Sequence, residues 1–110
     1  MSADDTSQPV TAADLQALAA NAEQAANLMK QLSNTNRLMI LCTLMFDELS
    51  VGQLNELIPL SQSALSQHLA SLRDAQLVAT RREGQTIFYR LVGDEVGRVI
   101  RVLKDIYCPE

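Results

Sequence analysis

Three side chains stand out for chemistry in this sequence: Cys42, Cys108 and His68, its only thiols and its only imidazole. The cysteines lie far apart and form no CxxC, so one chain offers neither a disulfide framework nor a four-ligand zinc site. In a reducing compartment both begin as thiols, and two small buried hydrophobes would leave the same trace. His68 falls within SQSALSQHLASLR, residues 61–73, where Leu65, Leu69 and Leu72 recur at helical spacing and Ser63, Gln67 and Ala70 lie opposite them. Hydroxyls and carboxamides make a poor core and a poor solubilising surface, but they donate to and accept from base edges in a DNA major groove. A lone histidine on such a helix serves that contact or the packing rather than a metal.

A face of this kind needs a scaffold, and the rest of the chain supplies one. The length is that of a single domain. From about Asp14 to Leu32, Leu15, Leu18, Ala22, Ala25, Ala26, Met29 and Leu32 repeat at helical spacing and predict one amphipathic helix. Residues 37–45, RLMILCTLM, are apolar nearly all round and predict a buried central helix that holds Cys42. Ser50 can cap a short helix that stops before Pro59, and Ser61 can cap the next one. Two short helices joined so tightly, the second polar outward, form a helix-turn-helix. LVATRR and TIFYRL then read as a hairpin, with Gly84 supplying the turn. Asp94 can cap a last helix bearing Val96, Val99, Ile100, Leu103 and Tyr107 and ending at Cys108. The expected fold is mainly α with a β-hairpin, a winged helix-turn-helix over residues 14–110 behind a polar, disordered tail over residues 1–13. The first and last helices carry apolar stripes with nothing to cover them, so they are the expected interface of a homodimer.

Net charge is −4, yet residues 60–90 carry +2, from Arg73, Arg81, Arg82 and Arg90 against Asp74 and Glu83. Arg81, Arg82, Gln85 and Thr86 cluster near the hairpin tip, placed to grip phosphate or a minor groove. A two-fold dimer would present two such readers to palindromic double-stranded DNA. No run is long enough to span a membrane, and the acidic N-terminus is unlike a signal peptide, so a cytoplasmic protein without membrane contact is expected. The absence of CxxC, of a second histidine and of a glycine-rich phosphate loop argues against an enzyme and calls for no cofactor.

NRLMIL, ELSVGQL, LSQSALSQHLASLRDAQLV and TRREGQTIFYRL together make residues 14–108 resemble the ArsR/SmtB family of small dimeric repressors. The resemblance implies that Gln62, Ser63, Ser66 and Gln67, with His68 beside them, enter the groove. Metal-sensing members often carry ELCVCDL where this chain has Ser50 and Gly52 in place of the thiols, and histidines in a last helix that here has none, so no metal site is implied. The LCTL around Cys42 and the ending LKDIYCP are similar to the persulfide- and polysulfide-sensing branch, the SqrR and BigR type. There, two thiols of one subunit are joined through sulfur and the operator is released. On that reading Cys108, near a frayed helix end behind Lys104 and Arg101, reacts first and Cys42 resolves the product. The alternatives are a metal- or oxidant-responsive repressor of the same fold and a small thiol oxidoreductase.

Overall fold

The computed structural model describes residues 8–109. Among the described residues six helices and three strands run in the order α1 (Ala12–Ala20), α2 (Ala22–Leu32), α3 (Thr35–Leu44), β1 (Leu49–Ser50), α4 (Val51–Leu57), α5 (Gln62–Asp74), β2 (Val78–Glu83), β3 (Thr86–Leu91) and α6 (Glu95–Tyr107). Residues 1–7 of the expected tail lie outside the described residues.

The single N-terminal helix expected from periodicity is in fact two. Asn21 breaks it: its Nδ2 donates to the Ala17 carbonyl at 3.0 Å, and its backbone N–H turns to Leu18 rather than to Ala17. Asparagine side chains compete with the helical ladder in this way. The helix also opens at Ala12, earlier than the apolar spacing suggested, because Thr11 and Asp14 exchange reciprocal capping bonds of 3.1 and 3.0 Å. Arg37 then joins α2 to α3. Its guanidinium donates to the Lys30 and Gln31 carbonyls at 3.0 and 2.9 Å, satisfying the end of α2, while Asn34 caps the start of α3.

Ile40, Leu41 and Leu44 of α3 are buried at the centre of the core. Leu54 and Ile58, the three leucines of α5, Val78, and Val96 and Ile100 of α6 close around them. Met39 faces solvent, so α3 is buried along one side and not all round as its composition suggested.

Both predicted serine caps are made. Ser50 and Gln53 form a capping box at α4, and Ser61 Oγ accepts the Ala64 N–H at 3.1 Å at α5. Asn55 donates to the Leu60 carbonyl at 2.8 Å and pins the turn between α4 and α5. Helix α5 ends with Gln76 N–H on the Arg73 carbonyl and Leu77 N–H on the Leu72 carbonyl, which forces Gln76 to φ 64°. Strands β2 and β3 pair antiparallel up to Glu83 and Thr86 across the two-residue turn Gly84-Gln85, with Gly84 at φ 63° as expected. The unpredicted strand β1 pairs Leu49 with Tyr89 and Ser50 with Phe88, giving the sheet order β1-β3-β2. Asp94 does not cap α6 through its side chain; its carboxylate lies 3.9 Å from the Arg98 guanidinium instead. The whole is a winged helix-turn-helix, with α4 and α5 as the motif and β2–β3 as the wing.

Candidate functional site

Helix α5 is held by one side only. Leu65, Leu69 and Leu72 are buried, which turns Gln62, Ser63, Ser66, Gln67 and Arg73 outward, all exposed. Successive residues lie about 100° apart around a helix. His68 therefore falls on the flank of the leucine stripe rather than opposite it, and it is half-buried. Ser71, one turn further along the same side of the helix, donates to Gln31 Oε1 at 3.0 Å and fastens α5 to α2. The outward face thus rests on a rigid base and offers hydroxyl, carboxamide and guanidinium groups without a carboxylate until Asp74.

On the wing, Arg81, Arg82, Gln85 and Thr86 are all exposed. Neighbours on a strand point to opposite faces, and the two arginines consequently differ. Arg81 Nε donates to Glu48 Oε1 at 2.8 Å, its Nη1 lies 3.5 Å from Glu83 Oε1, and its guanidinium stacks 4.7 Å over the Phe88 ring. The hydrogen bond to Glu48 leads the effects that hold Arg81 more firmly protonated than an ordinary arginine. Arg82, opposite Ile87, has no ion pair among the described residues. Sequence reasoning missed the stacking of Arg81 on Phe88, its partner in the β2–β3 register, and it missed Glu48, because only the pairing of β1 with β3 brings that residue beside the wing. Nothing local in ELSVGQL signals it.

The two cysteines, distant in sequence, line one groove between α3 and α6 together with Leu38, Met45, Phe46, Ile100, Arg101, Leu103, Lys104 and Tyr107. Cys42 is half-buried on α3 and Cys108 is exposed at the end of α6; both are free thiols. Burial pushes the Cys42 thiol up from its ordinary value, since apolar surroundings penalise the thiolate. The groove holds about 650 Å³, and its apolar walls can seat a sulfur chain while Cys108 stays open to an incoming reagent. Ser50, where metal-sensing members carry a thiol, is engaged as the cap of α4. Among the described residues no three His, Cys, Asp or Glu side chains gather as a metal site would require, and no helix is long and apolar enough to cross a membrane.

Comparison with known proteins agrees with this architecture. Residues 34–80 match the bacterial regulatory protein, arsR family. The transcriptional activator HlyU of Vibrio cholerae is 50% identical over 95 residues, covering 86% of this chain and 88% of that protein. The crystal structure of the transcriptional repressor BigR from Xylella fastidiosa superposes with a TM-score of 0.82 at 40% identity, over 86% of this chain and 96% of that one. The homodimeric winged helix-turn-helix domain of Mb0332 from Mycobacterium bovis, solved by NMR, gives 0.72 at 32% identity over 80% and 82%. With its reading helix, its wing and these relatives, the chain belongs to the arsR family of bacterial regulatory proteins and is a winged helix-turn-helix transcriptional regulator.

Proposed function

We propose that this regulator is a homodimeric cytoplasmic repressor that binds palindromic double-stranded operator DNA and releases it when persulfide or polysulfide joins Cys42 and Cys108 within one subunit. The observation that carries the proposal is the shared groove: both cysteines line it. Cys108, the exposed thiol, reacts first. Its thiolate attacks the outer sulfur of a persulfide RSSH, becomes Cys108–S–SH and expels RS⁻. Cys42 then attacks the Cys108 sulfur, HS⁻ leaves, and a disulfide remains; further sulfane sulfurs inserted beforehand give a longer bridge by the same displacement. The two thiols are oxidised and the sulfane sulfur is reduced to sulfide, so no other oxidant is needed.

On the DNA side, Gln62, Ser63, Ser66 and Gln67 meet base edges, with His68 at the flank. Arg73, Arg82, Gln85 and Thr86 bear on phosphate, and Arg81 is held back by Glu48. The dimer forms through α1 and α6. Helix α1 has no buried residue, and Leu15, Leu18, Val102 and Ile106 are exposed. A sulfur bridge ties the end of α6 to α3, against which α5 packs, and so biases the angle between two reading helices whose spacing must match the half-sites. Coupling of about 1–3 kcal/mol corresponds to a loss of operator affinity of about 5- to 150-fold.

Intact mass and operator binding, measured on one sample before and after polysulfide, test this. The wild type is expected to gain a bridge and release DNA, while Cys108→Ser binds normally and stays bound. Release by Cys108→Ser rejects the cysteine mechanism. Equal release of the wild type by zinc or by peroxide favours the metal or oxidant alternative.

A further inference from the structure

The groove that holds the thiols is larger than a few sulfur atoms require. At about 650 Å³ it lies within the range of about 300–1,000 Å³ typical of small-molecule sites. Leu38, Met45, Ile100 and Leu103 line it, and among the described residues no carboxylate does and the only charged lining residues are Arg101 and Lys104. Those two are spaced i, i+3 on α6 and so share one face. Neither has an ion pair among the described residues. An uncharged apolar guest would cover two cations without answering them, and a small inorganic anion would leave the trough unfilled. The complementary guest has an apolar body and an anionic head.

We propose that the groove binds an amphipathic carboxylate, a medium-chain fatty acid anion, with its head on Arg101 and Lys104 and its chain over Leu38, Met45, Ile100 and Leu103. Lying there it covers Cys42 and Cys108 and restricts reagents from reaching them. The binding does not depend on the sulfur chemistry proposed above, and its test uses none.

The reduced full-length protein is titrated calorimetrically with octanoate, decanoate and dodecanoate below their micelle-forming concentrations, and with decanol as the uncharged control. One carboxylate binds per chain, about three- to fourfold tighter for each added methylene until the groove is full. Decanol binds more weakly than decanoate. The exposed double variant Arg101→Gln/Lys104→Gln loses about two- to thirtyfold and keeps the wild-type far-ultraviolet spectrum. In parallel, decanoate slows iodoacetamide alkylation of Cys108 in proportion to occupancy, which non-specific association elsewhere would not do. The proposal is overturned by any of three results: no saturable binding, as when helix α1 of a second copy fills the groove; equal binding of decanol; or binding that leaves Cys108 alkylation unchanged.

Discussion

Arg81 and Arg82 are adjacent in the chain and opposite in circumstance. A guanidinium already hydrogen-bonded to Glu48 and stacked on Phe88 has less to offer a phosphate than the neighbour beside it. Glu48→Gln therefore releases Arg81 and removes a like charge from the DNA-facing side. Operator binding is expected to tighten and the salt dependence to steepen, by about 0.9 in the slope of log K against log salt if one phosphate contact is gained; a gel-shift series across salt concentrations measures both. Cys42 makes the second prediction at this scale. Its thiol is pushed above the ordinary value of 9.0 by burial, so the unfolded chain sheds that proton at lower pH than the folded one. Between the two values the unfolded state binds fewer protons, and stability falls as pH rises through that window. Denaturant midpoints taken across alkaline pH should decline more steeply for the wild type than for Cys42→Ala.

Among the elements, α3 to α6 and the β2–β3 wing were legible from apolar runs and spacing, caps and turn residues, and α2 was legible as part of one longer helix. What escaped were features set by single polar side chains or by very short pairings. Asn21 splits a stripe whose apolar period runs straight through it, and β1 is too short to show any period at all. The turn after α5 was also invisible. It places Gln76 at φ 64°, a left-handed conformation that costs an ordinary residue about 1–2 kcal/mol and that glycine adopts freely. Gln76→Gly is expected to stabilise the protein by about 0.5–1 kcal/mol, after the extra entropy of glycine in the unfolded chain is counted against the relief. Chemical denaturation reads this directly, and an unchanged or lower stability would show that the side chain of Gln76 matters more than its backbone.

At the scale of the whole molecule, the radius of gyration is 16.0 Å, against about 13 Å for a compact domain of this size. A single copy leaves Leu15 and Leu18 on α1, and Val102 and Ile106 on α6, in contact with solvent, the faces through which the proposed dimer forms. Leu15→Glu/Leu18→Glu should convert the proposed dimer to monomer by light scattering. Operator affinity should fall with it, and the salt slope should drop towards half, because each monomer brings only one set of phosphate contacts.

From its residues alone the chain declared a reading helix, a wing and two uncovered stripes, because hydrophobic period, caps and turn residues act within a few positions of one another. The partnership of Glu48 with Arg81, the half-burial of His68, and the lining of one groove between α3 and α6 by both Cys42 and Cys108 were decided by the packed fold. Such contacts depend on how helices cross and strands register, and that geometry is a property of the assembled core, not of any local stretch of sequence.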